Sequence, residues 1–361
     1  MFHIANAEVS SMFVIRLVFI VCISTPVWAQ QSVPEIPFET VPNFLKYSPD
    51  MNLGEILGVA VNSQGNIVVL NHPGSANLGP IWSNSTTQLL EFDKAGRFLR
   101  EIGKGVYGIA YSHQVRFDQY DNLWVVDKGA NSVMQFDPQG YVLMNIGRRE
   151  EGYHGDVELA SQAEARAFGG YFGGPTDVAW DSDNNIYVSD GYVNSRMTKF
   201  DPDGNFLMDW GSFGTDIGQF DLPHALQIDR NDNIYVADRD NRRIQVFDTD
   251  GNYQRMIVLD VPYPPDYQPP FSAKNPDRAI RETQPWAMCI TNTTPQYLFV
   301  ADNEPGRIYK ISTDGTILGW LGKSGRRDGQ FNWVHGLDCS QEDVLYVADM
   351  NNWRVQKLLL K

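Results

Sequence analysis

Short stretches in which apolar and polar residues alternate recur along this chain, separated by breaks rich in Asp, Asn and Gly. A period of two is the signature of a half-buried strand. The breaks have hairpin-turn chemistry, because Gly and Asn tolerate positive φ. Aligning the stretches exposes a longer repeat. FDQYDNLWVVDKGANSVMQFDPQGYVLMNIG from Phe117, WDSDNNIYVSDGYVNSRMTKFDPDGNFLMDWG from Trp180 and IDRNDNIYVADRDNRRIQVFDTDGNYQRMI from Ile228 are copies of one unit. YLFVADNEPGRIYKISTDGTILGWLG from Tyr297 and VLYVADMNNWRVQKL from Val344 are two more, and GNIVVLNH with TTQLLEFDKAGRFLREIG is a divergent first copy. Each unit parses into four short strands, with the second of the IYVAD type and the fourth following an Asp-Gly turn. The Asp that ends the second strand (Asp127, Asp190, Asp238, Asp302, Asp349) is expected to accept hydrogen bonds from backbone N–H groups of the following turn.

Six four-stranded units predict an all-β fold, a six-bladed β-propeller. The repeat is similar to the NHL type. The division expected is a signal peptide over 1–29, a lead-in over 30–45 and the propeller over 46–361. The last unit ends after its third strand, so the stretch near Met51–Leu57 is expected to supply the fourth and close the ring. Three insertions break the rhythm: His72–Thr87, Arg148–Ala167 and Asp260–Gln284. The first joins second to third strands and the others join successive blades, which places all three on one face. Long loops on a short-loop scaffold usually carry function. Val157–Ala167 is expected to form a short helix.

Charge and cysteines narrow the classes. The formal net charge of −15 disfavours nucleic acid as a partner. Met12–Ser24 is apolar apart from Arg16, and Val27-Trp28-Ala29 offers a cleavage site after Ala29. Either Met1 or Met12 serves as the start, and an uncleaved anchor is the other reading of this segment. Cleavage removes Glu8 and Arg16 together and leaves the charge at −15. The expectation is a secreted or periplasmic monomer without stable membrane association. Cys22 leaves with the signal. Cys289 and Cys339 fall at one position in inner strands of neighbouring blades, where two buried free thiols are expected in preference to a disulfide.

Three of the six histidines open innermost strands: Tyr-Ser-His113, Leu-Pro-His224 and Trp-Val-His335. The intervals 113 to 224 and 224 to 335 are both 111 residues, or two blades. In a six-bladed ring this sets the side chains about 120° apart, converging on the axis. The intervening blades carry Thr176 and Trp286 there, and the first carries Gly58. Three imidazoles with an open side suit a catalytic zinc or a similar divalent metal. The alternative is a ring that caps a turn. On the same face, Tyr192 follows the second strand of blade 3 and Arg239 that of blade 4. Tyr192 reads as a general base if positive charge lowers its pKa, or as an aromatic plug between blades. Arg239 reads as a bidentate carboxylate ligand or a surface ion pair.

GGPTDVAWDSDNNIYVSDGYVNSRMTKF followed by GQFDLPHALQIDRNDNIYVADRDNRRIQVF closely resembles the peptidyl-α-hydroxyglycine α-amidating lyase family. The Ser-Asp-Gly-Tyr-x-Asn-Ser-Arg run is much narrower than the generic repeat. The resemblance implies release of glyoxylate from a C-terminal hydroxyglycine, leaving a peptide amide, so a peptide or small hydroxyglycine-like substrate. It implies zinc on His113, His224 and His335, with Tyr192 as the catalytic tyrosine and Arg239 as an active-site arginine. The chain departs from the family at Pro73, where the family has a catalytic arginine, and at Asn62 and Gly336, where it has calcium-binding aspartates. Calcium is therefore an open second cofactor. The family's cysteines meet Val193 and Val246 or Phe247 here. Two readings stand for the insertion arginines, Arg148, Arg149 and Arg166 in one loop and Arg278 and Arg281 in another: ordinary solvated side chains, or one of them replacing the missing arginine. The rival readings are a non-catalytic NHL-type binding propeller and another metal-assisted propeller enzyme such as a lactonase. Lactonases use carboxylate and Asn ligands, whereas this axis offers imidazoles.

Overall fold

In the computed structural model, which describes residues 33–74, 86–148, 171–263, 283–302 and 306–361, the repeats fold as six four-stranded antiparallel sheets. The innermost strands run, in order, over Glu55–Val61, Ser112–Phe117, Asp177–Trp180, Pro223–Ile228, Pro285–Ile290 and Val334–Asp338. Each touches the next, and the sixth touches the first, so the sheets close a ring as blades 1 to 6. Among the described residues there is no α-helix. The apolar face of every blade is buried against its neighbour. One core cluster, for example, joins Tyr235, Ile244 and Val246 of blade 4 to Met288, Val300 and Ile311 of blade 5.

Closure differs from the sequence expectation. The outer strand of blade 6 is Phe38–Val41, pairing antiparallel with Arg354–Leu360 from Phe38↔Leu360 to Val41↔Lys357. Met51–Leu57 instead leads into and begins the inner strand of blade 1. The propeller thus starts inside the segment read as a lead-in. The cysteines differ too: Cys289 and Cys339 form a disulfide between blades 5 and 6. Cys289 lies within the inner strand of blade 5 and Cys339 just past the end of that of blade 6, one position out of step in the repeat, and the packing of the two blades brings the sulfurs together, which spacing along the sequence could not reveal. The signal segment 1–29, the Val157–Ala167 helix and Arg149, Arg166, Arg278 and Arg281 lie outside the described residues; Arg148 is described and exposed.

The repeated Asp works differently from the sequence reading. Its backbone donor lies upstream, in the loop entering the inner strand. Ala110, Gly173, Asp221 and Asn332 donate N–H bonds of 2.7–2.8 Å to Asp127, Asp190, Asp238 and Asp349. The following turn contributes mainly side chains, such as Asn194 and Arg196 to Asp190. Asp127 alone among these four also takes an N–H from that turn, Ala130. Blade 1 uses Asn71, bonded to Gly54 N–H. Each clasp ties the blade-to-blade loop to the loop after the second strand, on one face of the ring. Those loops bear the candidate residues.

Candidate metal centre

Five of the six inner strands, all but that of blade 3, carry a β-bulge at one place. The pairing skips from Ser112 to Gln114, from Pro223 to Ala225 and from Val334 to Gly336. The skipped residues are His113, His224 and His335. A bulge re-aims its side chain out of the pleat, here toward the axis. In blade 1 the skip from Ile56 to Gly58 leaves out Leu57, so Leu57 and not Gly58 stands in the histidine position. The bulge shifts the equivalence by one residue.

The three rings meet edge to face, with centroids 4.6, 4.7 and 5.2 Å apart. All three are buried. Each Nδ1 lies against a backbone carbonyl of the next blade: His113 on Thr176 at 2.7 Å, His224 on Trp286 at 2.8 Å and His335 on Leu57 at 2.9 Å. A carbonyl only accepts, so each Nδ1 donates and each Nε2 keeps its lone pair. The ligand nitrogens of the three residues lie within 4.8 Å of one another. Some point then sits within about 2.8 Å of all three, and a small inward movement reaches zinc–nitrogen bonds of ~2.0–2.1 Å. The Nε2 of His224 has no hydrogen-bond partner. Burial pushes the imidazolium form out, bringing His335 down to about 3 and holding His113 and His224 well below the ordinary histidine value. Three neutral imidazoles with fixed tautomers and converging lone pairs can hold a metal ion.

Tyr192 and Arg239 join them. The Tyr192 hydroxyl is 3.2 Å from His113 Nε2. Its backbone N–H bonds to the Gly174 carbonyl, and Gly174 has φ +75° and no room for a Cβ, which would lie 2.7 Å from the Tyr192 Cβ. Burial raises the Tyr192 pKa, opposed by the charge of Arg239 and a hydrogen bond from it. The condition set for a general base, positive charge lowering the pKa, is thus outweighed by burial. Arg239 stacks on Trp286, 3.8 Å from the ring centroid, and pairs with Asp240 at 2.9 Å. Trp286 in turn packs on His224.

Two further residues escaped the sequence reading. Lys128, after the second strand of blade 2, sets its Nζ over the Tyr192 ring, 3.7 Å from the centroid. Burial, then the charge of Arg239, lowers its pKa to about 8. Its signal was present: the interval from Lys128 to Arg239 is 111 residues, the same as between histidines. His72 holds the equivalent place in blade 1. It is buried against Tyr111, ring centroids 4.3 Å apart. Neither ring nitrogen has a partner in hydrogen-bonding geometry, although the nearby Ser112 backbone partly offsets the burial that lowers its pKa to about 4.

A calcium on this axis is a poor fit. A side chain at Gly336 would put its Cβ 2.8 Å from the Leu57 carbonyl oxygen. The Arg116 guanidinium is bidentate to Asp177 at 3.0 and 2.7 Å, and donates to the carbonyls of Leu337 and Met288. Oxygens from blades 3, 5 and 6 are thereby taken up by a protein cation.

The NHL repeat model matches residues 220–247. The probable peptidyl-alpha-hydroxyglycine alpha-amidating lyase of Caenorhabditis elegans is 31% identical over 87% of this chain and 85% of its own length. The peptidylglycine alpha-amidating monooxygenase of Rattus norvegicus is 32% identical over 85% of this chain, which spans 30% of that protein. Among solved structures, a streptogramin B lyase superposes with a TM-score of 0.54 at 12% identity, over 90% of this chain and 98% of its own. That likeness concerns the fold.

Proposed function

Because the chain belongs to the peptidyl-α-hydroxyglycine α-amidating lyase family, we propose that it cleaves the C–N bond of a C-terminal α-hydroxyglycine. The products are glyoxylate and a peptide amide. The observation that carries this reading is the convergence of three tautomer-fixed imidazoles beside a tyrosine hydroxyl. His113, His224 and His335 would hold zinc, which supplies a Lewis acid and lets a hydroxyl ionise near neutral pH.

Tyr192 manages the proton. Cleavage turns the carbinol HO–CH into the aldehyde O=CH and requires a proton on the departing amide nitrogen. The hydroxyl loses one proton and the nitrogen gains one, so a single relay balances the step. Tyr192, half-buried between the cations Lys128 and Arg239, is suited to pass that proton on. Arg239, clamped by Trp286 and Asp240, positions the tyrosine hydroxyl. The Cys289–Cys339 disulfide supports export to an oxidising compartment, secreted or periplasmic.

Tyr192→Phe tests the assignment. Turnover on an α-hydroxyglycine peptide is expected to fall ~10²–10⁴-fold, typical of a lost proton-transfer group, with bound zinc unchanged. Parallel loss of zinc and turnover would make Tyr192 a structural residue.

A further inference from the structure

Two cations flank Tyr192, and their surroundings differ. Arg239 is committed: its Nε pairs with Asp240, its plane lies on Trp286, and it bonds to the tyrosine. Gln284 holds Asp240 in turn. Lys128 makes no such commitment. Its Nζ faces the rings of Tyr192 at 3.7 Å and Tyr111 at 5.5 Å, and no carboxylate pairs with it among the described residues. Ring faces attract an ammonium, but they satisfy none of its three N–H donors with an oxygen acceptor. A partly buried ammonium without a counter-ion is costly and is relieved by an anionic ligand. The field around it is positive as well. The imidazoles are neutral, Arg239 lies close enough to act on Lys128, and Lys128 acts on His113 and His335.

We propose that Lys128 is the receptor for the carboxylate of the bound substrate, holding it beside the three-histidine centre across the Tyr192 ring. Arg239, two blades on at the equivalent position, serves the tyrosine, and Lys128 serves the substrate. The site therefore discriminates free acids from uncharged analogues of the same shape. The choice of carboxylate, rather than any small anion, rests on the lyase reading.

The test is calorimetric titration of the full zinc-loaded protein with mandelate, a stable 2-hydroxy acid, and with uncharged mandelamide. Wild type is expected to favour mandelate by about tenfold or more. Lys128→Met is expected to weaken mandelate by about tenfold to a hundredfold and to leave mandelamide within about twofold, the scale of one close ion pair. Lys128→Arg, which keeps the charge, should retain most of the preference. No preference in wild type, an unchanged preference in Lys128→Met, or equal weakening of both ligands would overturn the assignment. Glyoxylate release on the same preparations separates the two readings. A Lys128-dependent preference without release upholds the carboxylate receptor and removes the lyase.

Discussion

A buried imidazole with no hydrogen-bond partner is a pH-dependent liability, and His72 is such a residue. Its folded pKa, about 4, lies below the ordinary 6.5. Below pH 6.5 the unfolded chain takes up a proton that the folded chain refuses. Stability is therefore full above 6.5 and is lost as pH falls toward 4. At pH 5 the His72 share is about 2 kcal/mol. His72→Phe keeps an aromatic ring against Tyr111 and removes the proton. Urea unfolding of metal-free protein at pH 7.5 and 5 should show a smaller acid loss in the variant by about that amount. Identical pH dependence would mean that His72 is solvated or charged in the fold. At this scale the sequence was informative wherever a side chain repeated with the ring. The 111-residue interval exposed the histidines, and the same interval linked Lys128 to Arg239 unnoticed. What could not be read was the bulge, which replaces Gly58 by Leu57, because a bulge is a property of pairing between strands.

Each blade was legible as an element, since its alternation and turns are local. The links between distant elements were not. Phe38–Val41 is a short strand with one glutamate, and its pairing with Arg354–Leu360 spans nearly the whole chain. The disulfide between neighbouring blades likewise depends on register between them. The closing strand has a measurable consequence. Removing residues 33–41 would leave Arg354–Leu360 as an open edge and strip Ile36 and Phe38 from the core cluster of blades 5 and 6. Open apolar edges pair with other chains. The truncated protein should melt at a lower temperature and scatter light in a concentration-dependent way. An unchanged melting temperature with monodisperse behaviour would show that the ring does not depend on this strand.

Across the whole molecule, the two ends of the axis do different work. One end gathers neutral imidazoles, a phenol and two cations inside a chain of net charge −15. Further along, Arg116 of blade 2 ties Asp177, Met288 and Leu337 from blades 3, 5 and 6 with a single guanidinium. Closure of the ring is thus anchored by a protein cation, and the metal-ligand geometry is left to the histidine end. We propose that this end, loaded with zinc, is a lyase. The most direct measurement is glyoxylate released from a peptide ending in α-hydroxyglycine, before and after chelation. One glyoxylate should appear per peptide amide formed, release should stop on chelation, and it should recover when zinc is restored. A folded, zinc-loaded protein that leaves the peptide intact would contradict it.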